Sequence, residues 1–263
     1  MKQTTTTNPA PWLVFSDLDG TLGIEGQQIP LRNRQAIRRF VENGGRFGIC
    51  TGRSPESARD FLQDIPVNAP SVVNGGCALY DFATGQVSQE QLLPPACAAA
   101  AESLAREFPD CSLVAVNRRG YWQIPGGGMP PRYPALSLEQ VERPLYRLIL
   151  MAPPEQTAAI ARRAEALALP GIRIERTAPD FVELMNANAG KREALERLCR
   201  ANGIPLDRVA FIGDFYNDLD LMRCAGLSAC VSEAPREVRS QCALVLSGCM
   251  DGAVADFLEA LSG

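Results

Sequence analysis

The chain contains no histidine among its 263 residues. That absence removes Ser-His-Asp and Cys-His nucleophilic catalysis, H-E-x-x-H zinc hydrolysis and any phosphohistidine route. If the chain is an enzyme, its proton transfers fall to carboxylates, lysine, tyrosine or cysteine. A surplus of positive charge is also missing. With 26 Lys+Arg against 30 Asp+Glu the formal net charge is -4, which leaves no electrostatic footprint for nucleic acid and no polybasic patch for a membrane. No apolar run approaches the ~20 residues needed to span a bilayer. The start, MKQTTTTNPAP, lacks the apolar stretch of a signal peptide and reads as a flexible leader over residues 1–11. No C-x-x-C pair occurs. Nine cysteines, an odd number, are scattered along the chain, which fits reduced thiols in a cytoplasm better than a disulfide frame or a zinc site. Cys50 is expected to be a small core residue.

What remains is an ordinary globular composition, 46% apolar and 21% charged, on a chain long enough for one large domain or two smaller ones. Trp12–Phe15 is continuously apolar and predicts a strand buried on both faces. Leu31–Asn43 predicts a helix with Ile37, Phe40 and Val41 on one side, stopped by Gly44-Gly45. RFGIC is a second strand, Pro55–Gln63 a helix, and SVVNGGCALYD a strand and hairpin about Asn74-Gly75-Gly76. This β-α-β-α-β order predicts a parallel sheet with helices on its faces. The pattern then changes. Pro94–Phe108 is helical, SLVAV and YWQI flank an Asn-Arg-Arg-Gly turn, LYRLILM is a strand, Glu155–Leu169 a helix, and IRIER with DFVELM two further strands. Strands in adjacent pairs predict an antiparallel α+β unit. Alternation returns from Lys191–Ala201, through VAFIG, Leu219–Cys224, LSACV, Pro235–Gln241 and ALVLS, to a last helix near Gly252–Leu261. The simplest organisation is α/β: a doubly wound core of residues 1–84 and 187–263, interrupted by an inserted α+β domain over 85–186.

Three core strands end in polar groups: WLVFS at Asp17-x-Asp19, RFGIC at Thr51, and VAFIG at Asp214. In an open parallel sheet the ligand crevice lies beyond the carboxyl ends of the strands, so separate segments deliver these groups to one edge. Carboxylates of Asp17, Asp19, Asp214 and Asp218 gathered at ~4 Å would repel by several kcal/mol in a partly dry site. A hard divalent cation removes that cost, and oxygen ligands without His or Cys favour Mg²⁺. Lys191 opens a helix directly after Gly190, so an ammonium and a helix N-terminus meet at a natural anion site. Thr51 and the Gly52 N–H add neutral donors. Acids for a metal, with Thr and Lys for an anion, describe a phosphoryl-transfer centre. Read singly, each piece has a plain alternative: an acidic turn, a strand exit, a solvated lysine, a helix N-cap. Their joint order is what points to function.

FSDLDGTL, CTGRS, Lys191 within NAGKREAL, and GDFYNDLDLM stand in that order along the chain. With them the sequence resembles the haloacid dehalogenase (HAD) superfamily, and particularly its Cof-type (subfamily IIB) phosphatases. The resemblance covers almost the whole chain. It departs from the branch at Arg192, where glycine often follows the motif lysine, and at Val231–Ala234, where a different short segment is familiar. It implies a Rossmann-like HAD core whose inserted domain is a cap over the crevice. The implied enzyme is a Mg²⁺-dependent phosphatase acting on a small phosphorylated metabolite, with Asp17 as nucleophile and Asp19 as general acid and base. Asp17 and Asp214 would offer carboxylates to the metal and Asp19 its backbone carbonyl. Thr51 and Lys191 would hold phosphoryl oxygens, with backbone N–H groups near Leu18 and Gly52. Asn217 would support the phosphate or Lys191, and Asp218 would orient Lys191 or a metal-bound water. Arg53 and Asn74 are the expected leaving-group contacts, and Gly20, Gly23 and Gly26 would let the chain fold back as a small flap. The expected state is a monomer or weak homo-oligomer. Two alternatives stay open: a phosphomutase of the same superfamily, and a receiver-like phospho-accepting domain, which would need neither Asp19 nor an insertion of ~100 residues. A P-loop nucleotidase fits less well, because Met185 and Arg192 occupy positions that call for Gly and Ser or Thr.

Overall fold

The first apolar run becomes the middle of a parallel sheet. The structure is a computed structural model that describes residues 12–261; the leader expected over 1–11 lies outside the described residues. Leu13–Ser16 (β1) is fully buried and sits between Arg46–Ile49 (β2) and Val209–Gly213 (β11), followed outward by Leu227–Cys230 (β12) and Leu244–Val245 (β13). Every pairing in this sheet is parallel. Continuous apolar strands are what such a sheet requires, because helices cover both faces.

The helices are Leu31–Glu42 (α1), Pro55–Leu62 (α2), Lys191–Ala201 (α5), Leu219–Cys224 (α6), Arg236–Arg239 (α7) and Ala253–Ala260 (α8). The first and last helices of the described residues, α1 and α8, pack on each other. The buried Asn33 side chain stitches them, donating to the Leu22 carbonyl at 3.2 Å and accepting from the Ala255 N–H at 2.9 Å.

Ser71–Val73 (β3) joins β2 through a single bridge, Cys50 to Val72, and then turns back antiparallel into Ala78–Asp81 (β4) and Gln86–Ser88 (β5). The exposed β5 was not expected, since QVS is too short and polar to carry a strand pattern. Because β5 pairs with β4, the expected start of the insertion at residue 85 falls just before a strand that stays with the core.

The rest of the insertion is a second antiparallel sheet, comprising Ser112–Asn117 (β6), Gly120–Gln123 (β7), Leu145–Met151 (β8), Ile172–Ala178 (β9) and Phe181–Asn186 (β10). Its strand order is β7-β6-β8-β10-β9. Period-2 alternation divides its faces. Leu113, Ala115, Leu148, Leu150, Val182, Leu184 and Ile174 pack under Cys97–Glu107 (α3) and Pro154–Glu165 (α4). Arg147, Glu183, Arg173 and Glu175 stand at the alternate positions, and Arg147, Arg173 and Tyr121 reach the core from that face. The two largest apolar clusters, one around the parallel sheet and one under the antiparallel sheet of the insertion, support a division into core and cap, which we propose with its first boundary after β5.

Candidate active site

Asp17 is the first residue beyond β1, and its N–H extends the ladder to the Ile212 carbonyl at 2.9 Å. Thr51 leaves β2 in the same way, bonding the Val72 carbonyl at 2.9 Å, and Asp214 follows β11. Strand ends therefore bring Asp17, Thr51 and Asp214 to one edge. Lys191 arrives from the far side of the insertion as the first residue of α5. It is guided there by a close backbone contact: a side chain on Gly76 would overlap the Gly190 carbonyl, so the turn Asn74–Gly76 packs directly against the residue before Lys191.

Lys191 is only 5% exposed. It donates to Asp17 Oδ1 at 2.6 Å and to Asp218 Oδ1 at 2.7 Å. The second Asp218 oxygen accepts the N–H groups of Asp214 at 3.1 Å and Phe215 at 3.4 Å. Both oxygens of Asp218 are thus committed to protein donors. Asp214 accepts from the Thr21 hydroxyl at 3.2 Å, a partner that the sequence reading missed. Asp17, Asp214 and Asp218 each place a carboxylate oxygen within 4.8 Å of the others. At such a separation like charges repel by about 3–4 kcal/mol per pair for an effective dielectric of about 20.

The acids outnumber the cation, and the titration directions follow. Burial pushes the Asp17 carboxyl well up; Lys191 opposes this, while Asp218, Asp214 and Asp19 add to it. Asp214 is pushed up to about 7, by burial first and then by Asp218. Lys191 moves upward because Asp17 and Asp218 outweigh its own burial. Residual negative charge held by oxygen donors is what a hard divalent cation would neutralise. A side chain at Gly20 would come within 2.5 Å of Asp214 Oδ2, so the bare backbone there keeps the acid edge open. The donor set fits Mg²⁺, with Asp17 and Asp214 as the carboxylates that would hold it.

The remaining expected residues are nearby but differently engaged. Asp19 is not one of the three clustered acids, and its side chain is 48% exposed. Arg53 grips it through both oxygens, at 2.8 and 2.6 Å, and also reaches Glu25 at 3.3 Å and Ser57 at 2.9 Å. The Phe61 ring lies under this guanidinium, 4.7 Å from its centroid. Arg53, expected at the leaving group, is thus committed to Asp19. The Thr51 hydroxyl oxygen accepts the Arg53 N–H at 3.0 Å. Leu18 is fully buried, and its carbonyl closes the Gly20–Gly23 turn. Asn74 is buried and sends its N–H to the Arg53 carbonyl at 2.8 Å, while its side-chain oxygen is buried without a partner among the described residues. The Asn217 Oδ1 is likewise buried and unpartnered. Asn217 borders a cavity of about 370 Å³ that the cap residues Arg173, Glu175 and Arg176 line from the other side. Cys50 is buried and its thiol is pushed well up, which suits the core role expected of it.

Sequence reasoning also missed Arg147, Tyr121 and Glu183, which the cap turns toward Gly52. The available signal was a lone arginine in LYRLILM and a lone glutamate in DFVELM, on strands that pair with each other.

Comparison with known proteins gives the family and the fold. A family model described as haloacid dehalogenase-like hydrolase matches residues 14–258. The chain is 23% identical to the pyridoxal phosphate phosphatase YbhA of Escherichia coli, over 94% of this chain and 97% of that one. A solved HAD-superfamily phosphatase, BT1666 from Bacteroides thetaiotaomicron, superposes with a TM-score of 0.82 at 18% identity, covering 99% of both chains. A HAD/COF-like hydrolase from Plasmodium vivax gives 0.83 at 20% identity, over 96% and 95% of the two chains. The expected α/β fold and the Cof-type resemblance are borne out. No helix among the described residues is long and apolar enough to cross a membrane. From the matched residues and the shared fold, this chain belongs to the haloacid dehalogenase-like hydrolases and carries the fold of their Cof-type phosphatases.

Proposed function

We propose that this protein is a Mg²⁺-dependent phosphatase that hydrolyses a small phosphate monoester, a sugar phosphate or similar metabolite, by way of an aspartyl-phosphate on Asp17. The observation that carries this reading is the convergence of Asp17, Lys191, Asp214 and Asp218 from opposite ends of the chain into one hydrogen-bonded cluster. The pyridoxal phosphate specificity named for the Escherichia coli relative supports the substrate class.

Asp17 attacks phosphorus with a carboxylate oxygen, and the bond from phosphorus to the ester oxygen breaks. Asp19, once freed from Arg53, gives its proton to that departing oxygen. Water then attacks the phosphorus, loses its proton to Asp19, and displaces the Asp17 carboxylate, releasing phosphate. Lys191 and Thr51 hold the phosphoryl oxygens, with the Gly52 and Leu18 backbone alongside, and Asn217 supports them. Asp218 fixes Lys191 in place. Asp17 and Asp214, with the Asp19 carbonyl, would hold Mg²⁺, which when bound supplies positive charge against the phosphoryl group. Asn74 contributes its unpartnered oxygen toward the leaving group. The free cysteines support residence in a reducing cytoplasm, and nothing in the reading requires more than a monomer or weak homo-oligomer.

The test is phosphate release from a generic aryl phosphate, followed by a screen of phosphorylated sugars, nucleotides and cofactor precursors ranked by kcat/KM. Turnover that needs Mg²⁺ and stops with EDTA is expected. Turnover indifferent to EDTA would overturn the metal dependence, and absence of phosphate release from every ester would overturn the activity.

A further inference from the structure

Arg147 lies on the cap face opposite its helices and is 1% exposed. Its charge is balanced inside the cap: Nη1 donates to Glu183 Oε2 at 2.6 Å, and the other Glu183 oxygen accepts the Thr177 hydroxyl at 2.8 Å. The other arm leaves the cap. Nη2 donates to the Tyr121 hydroxyl at 2.8 Å and to the backbone carbonyl of Gly52. The Tyr121 hydroxyl donates to the same carbonyl, at 2.8 Å, and its ring is held by stacking on Tyr133, centroids 5.0 Å apart. One core carbonyl therefore accepts from two cap donors.

That carbonyl belongs to the peptide unit joining Gly52 to Arg53. The N–H of the same unit is the group that donates to the Thr51 hydroxyl at 3.0 Å. A peptide unit is planar, so holding its oxygen fixes the direction of its N–H. An N–H aimed at the Thr51 oxygen fills one acceptor site there and leaves the hydroxyl proton free to be donated elsewhere.

We propose that Arg147 and Tyr121 are positioning residues: by gripping the Gly52 carbonyl they orient the Gly52–Arg53 peptide, and through it the Thr51 hydroxyl, so that the cap sets the phosphate-holding loop. This rests on the phosphatase reading for the role of Thr51, but the hydrogen-bond relay is independent of it. Glu183 keeps the arginine neutralised while its outward arm is used. The cap thus acts on the chemistry through one backbone unit, in addition to anything it does by touching a leaving group.

The test is a double-mutant cycle on the full chain with an aryl phosphate and Mg²⁺. Tyr121→Phe should lower kcat/KM about 10-fold, as loss of one hydrogen bond does, and Arg147→Lys somewhat more. In a Thr51→Val background each should cost less than about 2-fold, because the group they act through is gone. Equal factors in both backgrounds would overturn the relay while leaving the phosphatase reading intact. A wild type that releases no phosphate would overturn that reading alone. Amide exchange then decides the relay without turnover: the Arg53 N–H should exchange about 5-fold faster or more in Tyr121→Phe, on the scale of one hydrogen bond. An unchanged rate there would overturn it. Tyr121→Phe removes a single oxygen, so it keeps the test open if Arg147→Lys does not fold.

Discussion

Two buried ionic clusters, one in the core and one in the cap, are built on opposite principles. In the core, Lys191 stands among Asp17, Asp214 and Asp218, so acid exceeds base. In the cap, Arg147 and Glu183 meet one to one, both almost fully buried. Burying charge is costly unless each group is paired. The cap cluster meets that condition within itself and spends its remaining donor on a core carbonyl. The core cluster does not meet it: burial raises Asp17 and Asp214 first, and the neighbouring acids add to the shift. An unbalanced acidic cluster favours a further cation; a balanced pair is satisfied within the fold. On the proposed function, the difference separates the groups that react from those that position.

The comparison can be broken at either end. Asp17→Asn should remove essentially all turnover, about 10⁴-fold or more, yet leave the fold intact with a melting temperature unchanged or raised. Activity assays alongside thermal unfolding check this, and retained turnover would remove the nucleophile. The cap should behave the other way. Arg147→Met alone should destabilise by about 3–5 kcal/mol by stranding Glu183, whereas Arg147→Met with Glu183→Leu should be near neutral; denaturant titration gives both values. Lys191→Met should cost about 10²–10³ in kcat, the size of a lost transition-state donor.

The smallest effect concerns Glu175, on the cap face beside the cavity, whose carboxyl is pushed up to about 7, chiefly by burial. A raised acid pKa means that its contribution to stability is favourable at low pH and is lost as pH rises from about 4.5 through about 7. Glu175→Gln should therefore stabilise the protein at pH 8, by up to about 3 kcal/mol, and do little at pH 4. Equal effects at the two pH values, read by chemical denaturation, would contradict the burial argument.

Much of this arrangement was legible in the sequence because it depends on short-range rules. Strand ends at Asp17, Thr51 and Asp214 follow from apolar runs, and the helix start at Lys191 follows from Gly190 and the periodicity after it. The helices Lys191–Ala201 and Leu219–Cys224 lie where their patterns put them. The cap cluster was hidden because it depends on pairing between distant strands. Whether Arg147 is buried, and beside which acid, is set by the β8–β10 register, which no local pattern encodes. The pairing of Arg53 with Asp19 was hidden for a similar reason: it depends on how the β1 turn folds back over the loop after β2. The strand β5 escaped notice because its residues are exposed and its pairing comes only from β4.

The central claim is that Asp17 carries the phosphoryl group between substrate and water. Its most direct test is acid-quenched rapid mixing of the protein with Mg²⁺ and an aryl phosphate, using both wild type and Asp19→Asn, followed by peptide mass spectrometry. The account predicts a transient, hydroxylamine-sensitive phosphoryl group on the peptide bearing Asp17, longer-lived in Asp19→Asn. Steady turnover with that peptide unmodified at every quench time, or with the phosphoryl group on another residue, would contradict it.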